Sequence, residues 1–454
     1  MENETKRRGH LVLVPCPLQG HLSPMLHLAT LLHSRGFSIT IVHTCFNSPN
    51  PSNYPPDFNF QPISDGLSDG EEVFNRGLVP FAMELNLNCE TPFRDCMTRM
   101  LSDDLQNTVV FVIYDSAMYF VHTVANDLKV PTIVLRTSNA TSFIAFTILM
   151  HKGCLQFEDN DQLDEPVAEL PFLRSKDLPR LDTSSTGCTA LLHEVMSHTI
   201  NATKTASALI WNTFDHLEST TLQKVQHDLQ VPVFPIGPLH KCSPSSCTSL
   251  LAEDRSCIGW LETQAPKSVI YISFGSIATI SECELVEMAW GLAASEQHFL
   301  WVVRPGSVCG SKWVELLPPE FETKTSARGL VVKWAPQQQV LAHEAIGGFW
   351  THGGWNSTLE SICEGIPMLC QPCYGDQRVN ARLVSHVWRV GMQLEDRLKR
   401  EQIEKAIRRL MVGQEGLEMR ERAMVLKEKV ELSLKKGGLS YQSLEKLTDF
   451  LMSP

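Results

Sequence analysis

Short apolar runs alternate with amphipathic segments in two separate parts of this chain. In the first part, residues 10–17 and 37–44 are typical of strands and flank a predicted helix over 24–34. Two further apolar runs, 109–114 and 130–135, are predicted strands of the same series. Because parallel strands need a crossover connection, usually a helix, this alternation predicts an open parallel sheet covered by helices.

The second series begins near residue 268. It consists of a predicted strand over 268–274, a helix over 282–294 and a strand over 299–303, and further strands are predicted at 331–332, 348–352 and 367–370. A helix is predicted over 376–388. Two such series predict an α/β protein with two Rossmann-like, doubly wound domains that face a cleft.

The stretch between the two series differs in composition. It carries Gly237-Pro238 and the run Ser243-Pro244-Ser245-Ser246, which are typical of a linker. We therefore predict a first domain over 1–236, a linker over 237–257, a second domain over 258–430 and a helical tail over 431–454 that packs back on the first domain.

Composition limits the class of partner. The 454 residues include 39 Lys and Arg against 51 Asp and Glu, a net charge of −12 that argues against nucleic acid as a partner. The 14 scattered cysteines fit a reducing compartment, and no apolar stretch approaches the about 20 residues of a membrane span. We expect a cytoplasmic monomer without a membrane span.

One run, WTHGGWNSTLESICEGIPMLC over 350–370, combines a strand end, two glycines and a short helix. It permits two interpretations. Ser357 and Glu360 could form a capping box, which would be purely structural. Alternatively the helix N-terminus, with donors from His352, Asn356 and Ser357, could bind a diphosphate while Glu360 accepts hydrogen bonds from a ribose.

His21 and Asp115 each follow a predicted strand of the first sheet. Ligands of open α/β sheets bind outside the carboxyl ends of the strands, so both side chains are expected near a ligand. A histidine oriented by a carboxylate can act as a general base. The structural alternatives are a loop histidine at position 21 and an N-cap for residues 116–124 at Asp115.

Other chemical motifs are weak. No Gly-x-Ser-x-Gly or Walker sequence occurs, and residues 15–20 lack the glycine fingerprint of a dinucleotide oxidoreductase. Cys370 and Cys373 could be half of a zinc site or a redox pair, but no further ligands follow at a suitable spacing. Asp159-Asn160-Asp161 has a metal-binding spacing yet lies in an acidic polar stretch typical of a solvated loop.

The segment from Trp334-Ala335-Pro336-Gln337 through His352–Glu360 to Asp376-Gln377 resembles the sugar-nucleotide box of plant secondary-product UDP-glycosyltransferases. The resemblance runs the whole length and includes Gly20-His21, Phe274-Gly275-Ser276 and Asn380-Ala381-Arg382. Residues 87–94 are similar to a branch with cytokinin N-glucosyltransferases and steviol-glycoside glucosyltransferases.

This resemblance implies a GT-B fold whose second domain binds the donor. It implies that Trp334 stacks on uracil, that Ala335 and Gln337 help to hold uridine, and that Glu360 binds the ribose. It also assigns two sets of donor contacts. For the diphosphate these are Ser276, His352, Asn356 and Ser357, and for the sugar Trp355, Asp376, Gln377 and Thr137, which touches the sugar or a phosphate. Gly354 is a further donor-binding position.

The implied reaction is the inverting transfer of glucose from UDP-glucose, which Gln377 favours over galactose. It uses His21 as base and Asp115 as its partner, with no metal and no permanently bound cofactor. The acceptor would be a terpenoid, flavonoid, hormone or phenol that offers a hydroxyl, an amine or a carboxyl group. The candidate pocket residues are apolar and come from the first domain. They are Phe81, Met83, Leu85, Leu87, Met118, Tyr119, Phe143, Phe146 and Met150. An oxidoreductase and a non-catalytic nucleotide-binding protein on a similar scaffold are the alternatives.

Overall fold

The computed structural model describes residues 9–67, 77–102, 109–151, 163–180, 188–243, 248–394 and 399–453. They form two compact units. The first unit contains the described residues up to 151, those of 188–250 and those from Leu432 onward. The second contains 163–180 and the described residues from Leu251 to Glu431.

These boundaries differ from the sequence prediction in two places. Residues 163–180 belong to the second unit, although the sequence placed them inside the first domain. Residues 237–243 and 248–250, part of the linker predicted over 237–257, cluster with the first unit. The predicted linker joins the first unit through two contacts. Leu239 is completely buried in the apolar core of that unit, and the Nδ1 atom of His27 lies 2.7 Å from the Ser243 hydroxyl.

The first unit is built on a seven-stranded sheet with the order β3-β2-β1-β4-β5-β8-β9. All six neighbouring pairs are parallel. The order reverses between β1 and β4, where Val14 pairs with Tyr114. The strands are β1 His10–Val14, β2 Ser38–Thr44, β3 Asn59–Ile63, β4 Val109–Asp115, β5 Thr132–Arg136, β8 Ala208–Trp211 and β9 Val233–Pro235.

Helices connect these strands and cover the sheet. Their apolar faces join the strands in one core that includes Leu26, Phe111, Ile133 and Leu447. The helices are α1 Gln19–Ser34, α2 Leu78–Ser102, α3 Phe120–Asp127, α4 Ala140–His151, α5 Cys188–Thr205, α6 Asp215–Leu229, α7 Leu239–Cys242 and, near the C-terminus, α16 Leu439–Leu451.

The second unit repeats the arrangement with six parallel strands in the order β12-β11-β10-β13-β14-β15. Here the order reverses between β10 and β13, where Ser273 pairs with Thr351. The strands are β10 Val269–Ser273, β11 His298–Val302, β12 Gly329–Val332, β13 Ile346–Thr351, β14 Met368–Cys370 and β15 Gly391–Gln393.

Eight helices of the described residues belong wholly or mainly to this unit. They are α8 Ser256–Leu261, α9 Glu282–Ser295, α10 Pro319–Thr325, α11 Gln337–Ala342, α12 Trp355–Glu364, α13 Gln377–Arg382, α14 Arg400–Met411 and α15 Gln414–Leu434. The unit also contains an antiparallel hairpin from the first half of the sequence. Its strands are β6 Pro166–Val167 and β7 Leu170–Arg174, followed by a 3₁₀ turn over Ser175–Asp177.

Two predicted helices differ from the observed ones. Helix α1 begins at Gln19 and contains Pro24, so His21 lies in the first helical turn and not in a loop. The helix predicted over 376–388 is an α-helix only as far as Arg382 and then a π-helical turn over Leu383–Val387. The wider turn is seen in the bond from the Trp388 amide to the Leu383 carbonyl. Within the described residues, no helix is long and apolar enough to cross a membrane.

Candidate functional site

The reversal point of the first sheet brings His21 and Asp115 into contact. Asp115 is the last residue of β4, and His21 lies just after the neighbouring strand β1. The His21 Nδ1 atom is 2.9 Å from the Asp115 Oδ2 atom. The carboxylate is completely buried, whereas the His21 side chain is 33% exposed. One end of the imidazole is therefore fixed by the protein while part of the ring is open to a ligand.

The backbone around Asp115 holds its carboxylate in place. The Oδ1 atom accepts a hydrogen bond of 2.9 Å from the Ala117 amide, and the Asp115 carbonyl accepts one of 2.8 Å from the Met118 amide. The N-cap alternative for Asp115 is wrong, because the next helix begins at Phe120 after Tyr119. The aspartate instead ends a strand and turns its second oxygen toward His21.

These contacts assign a tautomer to His21. An ionised carboxylate only accepts hydrogen bonds, so the proton of the neutral ring lies on Nδ1 and the lone pair on Nε2. The Thr137 hydroxyl, just after β5, lies 3.1 Å from the same Nδ1 atom. The ends of three adjacent strands, β1, β4 and β5, thus lead into the residues that form this group.

The second unit has a comparable arrangement at its own reversal point. Strand β13 ends at Thr351, and α12 begins at Trp355 with Gly354 as its N-cap and no side-chain cap. Ser357 and Glu360 are therefore the third and sixth residues of the helix, and the capping-box interpretation is wrong. The N-terminus of α12 keeps its backbone amides directed at the turn, which is the arrangement that anions favour.

Two glycines enclose the imidazole of His352. A Cβ atom on Gly354 would lie 2.5 Å from the His352 Nε2 atom, and one on Gly275 would lie 2.8 Å from Cε1. Gly275, which follows β10, also has a positive φ of +74°. Any side chain at either position would displace the ring, so the glycines set the place of the imidazole.

Burial keeps His352 neutral. Desolvation lowers the pKa of His352 to about 4, and a hydrogen bond to the backbone of Ser273 opposes that shift. The Thr351 hydroxyl lies 3.4 Å from Nδ1 and accepts the Gly353 amide at 3.2 Å. At neutral pH His352 can therefore serve an anion as a hydrogen-bond donor but not as a positive charge.

A polar group joins α11 to α12. The Glu360 carboxylate accepts hydrogen bonds from the Gln337 Nε2 atom at 2.7 Å and from the Gln338 Nε2 atom at 3.0 Å. Gln337 Nε2 also lies 3.0 Å from the Ser357 hydroxyl, and its Oε1 accepts from the Tyr271 hydroxyl at 3.3 Å. Each carboxylate oxygen has two lone pairs, so Glu360 can accept from several donors at once, as the two hydroxyl groups of a ribose would require.

Trp334 and Ala335 precede this group in the chain. The Trp334 side chain is half-buried, its carbonyl accepts the Asp254 amide at 2.9 Å, and Ala335 is buried. Ser276, in the turn after β10, and Asn356, the second residue of α12, are also half-buried. The ring of Trp355 is buried with its centroid 6.3 Å from that of Trp388. A flat aromatic face such as that of Trp334 is suited to stacking on a base.

The loop over 373–377 is closed by its own polar groups. The Gln377 Oε1 atom accepts the amides of Cys373 at 2.8 Å and Tyr374 at 3.0 Å. Gly375 has a φ of +63°, and nothing lies within 4 Å of a Cβ placed on it. Asp376 is the N-cap of α13, and Gln377 is its first residue. Gln377 itself is buried, so its side chain fixes the shape of the loop.

The predicted acceptor residues lie on α2, on the turn after β4 and on α4. Phe81, Leu85, Met118 and Phe143 are buried, and the ring of Phe143 packs 5.6 Å from that of Trp211. Leu87 differs, because 70% of it is exposed. The other four are half-buried, and the ring of Tyr119 stacks on that of His198 with 4.9 Å between the ring centroids. They are Met83, Tyr119, Phe146 and Met150.

Two weak motifs of the sequence are the cysteine pair at 370 and 373 and the acidic run at 159–161. Cys370 is buried at the end of β14 and Cys373 is exposed. Across the part of the chain that the structure describes, no three His, Cys, Asp or Glu side chains are grouped so that they could hold a metal ion. The Asp159-Asn160-Asp161 run lies outside the described residues.

The sequence analysis did not identify two supporting residues, Gln338 and Tyr271, and gave no role to Asn380. Gln338 and Tyr271 bind the Glu360 group, and the Asn380 Nδ2 atom donates to the Gly353 carbonyl at 2.8 Å. The run of three glutamines at 337–339 at the start of a helix was a signal for Gln338. Tyr271 lies in an apolar strand, where nothing in the pattern separates it from a core residue.

Comparison with known proteins gives a consistent result. A family model described as UDP-glucoronosyl and UDP-glucosyl transferase matches residues 180–428. The chain is 46% identical over 446 residues to UDP-glycosyltransferase 76B1 of Arabidopsis thaliana, with 98% of each chain covered. It is also 46% identical over 458 residues to the Arabidopsis thaliana flavonol 3-O-glucosyltransferase UGT76E12, covering 99% of this chain and 98% of the relative.

A solved structure of Phytolacca americana UGT2, complexed with UDP-2fluoro-glucose and pterostilbene, is similar with a TM-score of 0.81 and 28% identity. The match covers 98% of this chain and 99% of that one. Two Rossmann-like units and the motif around His352 thus define a glycosyltransferase of the GT-B class. Within that class, the chain belongs to the UDP-glucoronosyl and UDP-glucosyl transferase family.

Family membership decides between the alternatives. The protein is an enzyme that transfers a sugar from a UDP-sugar co-substrate to a small-molecule acceptor. The oxidoreductase and the non-catalytic binding protein are excluded. The narrower similarity of residues 87–94 to cytokinin and steviol-glycoside glucosyltransferases stays a prediction.

Proposed function

We propose that the protein transfers glucose from UDP-glucose to a hydroxyl group of a largely apolar small molecule, with inversion at the anomeric carbon. The products are a β-glucoside and UDP, and no metal ion takes part. An amine or a carboxyl group is the alternative nucleophile. The single observation that carries the proposal is the 2.9 Å contact between His21 Nδ1 and the buried carboxylate of Asp115.

His21 is the proposed general base. With the Nδ1 proton donated to Asp115, the lone pair on Nε2 takes the acceptor proton as the acceptor oxygen bonds to C1 of glucose. The bond from C1 to the β-phosphate oxygen breaks, and its electron pair leaves with UDP. Asp115 then stabilises the imidazolium that forms, as buried carboxylates do in other histidine bases.

The leaving UDP is the proposed ligand of the turn at the start of α12. The amides of this helix, the neutral His352 and the side chains of Ser276, Asn356 and Ser357, together with the backbone of Gly354, would receive the diphosphate. Stabilising the charge of the leaving group in this way supports transfer without a metal ion. Trp334 and Ala335 would hold the uracil, and Gln337 and Glu360 the rest of the uridine.

Glucose is the proposed sugar because the motif ends in Asp376 and Gln377, at the start of α13, and a glutamine in that place goes with glucose in the family that the sequence resembles. Trp355 and Thr137 are the other proposed sugar contacts. For the acceptor, the apolar residues of α2 and α4 favour an aromatic or terpenoid skeleton. The names of relatives support a phenolic compound, since one acts on flavonols and another was solved with pterostilbene.

The test is a reaction with UDP-glucose and a panel that contains a flavonol, a stilbene, a terpenoid alcohol and an aromatic amine. UDP release and mass spectrometry identify the acceptor, and proton NMR of the anomeric centre gives the configuration of the product. We expect a β-glucoside and an unchanged rate in excess EDTA. An α-glucoside would contradict inversion, and loss of the rate in EDTA would contradict the metal-free reaction.

A further inference from the structure

Residues 163–180 come from the first half of the sequence but belong to the unit that carries the donor site. They contact the polypeptide on both sides of Gln377. The Gly375 amide donates a 2.7 Å hydrogen bond to the Arg180 carbonyl, so that the two residues form an isolated antiparallel bridge. On the other side, the Arg382 Nε atom donates to the Phe172 carbonyl at 2.9 Å.

A buried carboxylate secures this contact. Asp177 is only 1% exposed, and its Oδ2 atom accepts both the backbone amide and the Nε atom of Arg174 at 2.9 Å. Its Oδ1 atom accepts from Nη2 of Arg174 at 3.0 Å. The Arg382 Nε atom lies 3.4 Å from Oδ2. One carboxylate thereby joins the 163–180 segment to the last residue of α13.

We infer that the 163–180 segment positions the sugar-contacting loop 373–377, and that Asp177 is a positioning residue for recognition of the donor sugar. The inference rests on the proposed role of Asp376 and Gln377. Gly375 has a positive φ, and nothing lies within 4 Å of a Cβ placed on it, so no side-chain packing fixes the backbone at that residue, although the adjacent Tyr374 packs against the core. The hydrogen bond from the Gly375 amide to the Arg180 carbonyl fixes the middle of the loop, and the Asp177–Arg382 pair holds the far end of α13, the helix that follows the loop.

The inference separates the two ends of the donor. The uridine end depends on Glu360 and on Gln337 and Gln338, which each donate a hydrogen bond to its carboxylate. The phosphate turn has attachments outside α13, since the Gly353 amide donates to the Thr351 hydroxyl and Gly275 and Gly354 enclose the ring of His352. Loosening the segment should therefore disturb the sugar contacts and leave the binding of UDP intact.

The experiment compares Asp177→Asn with Asp164→Asn in the full-length protein. The first substitution keeps the size of the side chain but removes the charge that holds Arg174 and Arg382. Asp164, on the same segment, is 73% exposed and pairs with Arg174 and Lys176 at the surface, where ion pairs contribute little. The measurements are the Kd for UDP, kcat and KM for UDP-glucose and UDP-galactose, and hydrogen exchange of the peptide that contains residues 373–377.

For Asp177→Asn we expect faster exchange at 373–377 and a KM for UDP-glucose about tenfold higher, the effect of losing about one charge-assisted hydrogen bond. The preference for UDP-glucose over UDP-galactose should fall, the Kd for UDP should stay within about twofold of wild type, and Asp164→Asn should match wild type. Unchanged exchange, or an equal loss of affinity for UDP and UDP-glucose, would overturn the inference.

If Asp177→Asn does not fold, Arg382→Lys provides the second variant, because it keeps the charge but lacks the Nε donor to Phe172. The same pattern of exchange and kinetics is expected, and wild-type exchange together with wild-type kinetics would overturn the inference. A wild-type enzyme that accepts another UDP-sugar but not UDP-glucose would refute the proposed donor instead. The exchange measurement on the 373–377 loop needs no turnover and distinguishes these cases.

Discussion

The Nδ1 atom of His21 lies 2.9 Å from the Oδ2 atom of Asp115, although the two residues are 94 positions apart. The sheet order explains this contact. Strands β1 and β4 are neighbours at the point where the strand order reverses, so the residues that follow them emerge side by side. Gly275 and His352 have the same relation in the second unit, after β10 and β13. In each sheet the candidate site residues thus lie at the point where the strand order reverses.

Replacement of His21 tests the base. His21→Ala should lower kcat on an alcohol acceptor by about 10²–10⁴-fold, the usual contribution of a positioned general base. The Kd for UDP should not change. His33→Ala is a matched control, because His33 lies at the other end of α1 and forms a surface pair with Asp57 at 2.8 Å. Undiminished turnover of an alcohol by His21→Ala would disprove the role of this imidazole.

Replacement of Asp115 tests the tautomer. In Asp115→Asn the amide NH₂ can donate to Nδ1, which moves the ring proton to Nε2 and removes the lone pair that accepts the acceptor proton. We expect kcat to fall by about 10²-fold or more, with KM for UDP-glucose close to wild type. The measurement is kcat and KM at several pH values. A thermal melt checks that the variant is folded. A variant with wild-type kcat would show that the carboxylate does not orient the base.

The glycines around His352 provide a third test. In Gly354→Ala the new methyl group would meet the His352 ring at 2.5 Å and displace it, so UDP should bind about tenfold more weakly, in line with the about 1–3 kcal/mol of an overpacked site. Gly259→Ala is the control, because it lies in α8 with nothing within 4 Å of its Cβ. Calorimetric titration with UDP measures both. Equal affinities in the two variants would argue against His352 as a phosphate contact.

Glu360 gives a test of the ribose contact. Glu360→Gln loses the charge that accepts from Gln337 and Gln338, and should weaken UDP binding by about tenfold or more, since hydrogen bonds to charged groups contribute about 1.5–3 kcal/mol. Glu364→Gln is the control on the same helix, one turn further, where the carboxylate pairs with Lys427 at 3.4 Å. If both variants bind UDP like wild type, the ribose contact lies elsewhere.

The low pKa of His352 predicts a pH dependence of stability. Burial lowers that pKa from 6.5 to about 4. Between these two pH values His352 is protonated in the unfolded chain but neutral in the folded protein. The corresponding stability is complete above pH 6.5 and is lost as the pH falls toward 4. Between about pH 7 and about pH 5 the loss from this one group is about 2 kcal/mol.

Urea unfolding of the nucleotide-free protein measures this effect. The free energy of unfolding of His352→Gln should fall by about 2 kcal/mol less than that of wild type over the same pH range, because glutamine does not titrate. His27, also buried with a pKa of about 4, contributes to the first unit in both proteins and cancels in the difference. An identical pH dependence in the two proteins would show that His352 is not desolvated.

Much of the site could be predicted because it follows strand ends. Asp115, Thr137 and His352 each follow an apolar run that is recognisable in the sequence, and the parallel sheet then determines which edge they share. The position of His21 was less predictable. Proline favours the first helical position, so Pro24 indicated a helix start, but α1 begins five residues earlier and contains the proline in its second turn.

The residues that sequence reasoning missed depend on distant contacts. The membership of 163–180 in the second unit rests on pairs such as Phe172 and Arg382, which are 210 positions apart, and no local pattern encodes them. The linker prediction failed for the same reason, since Leu239 reads as an isolated apolar residue until the core that buries it is known. The π-helical turn after Arg382 likewise has no periodic signal of its own.

The chain passes between its two units four times, and this has a consequence for protein engineering. A hybrid enzyme joined once, in the middle of the sequence, would take α16 from one parent although Leu444, Leu447 and Leu451 fill the core of the other parent's half. It would also separate Asp177 from Arg382. The second unit should therefore be exchanged between parents as two pieces, residues 163–180 together with 251–431, so that each parental core stays whole.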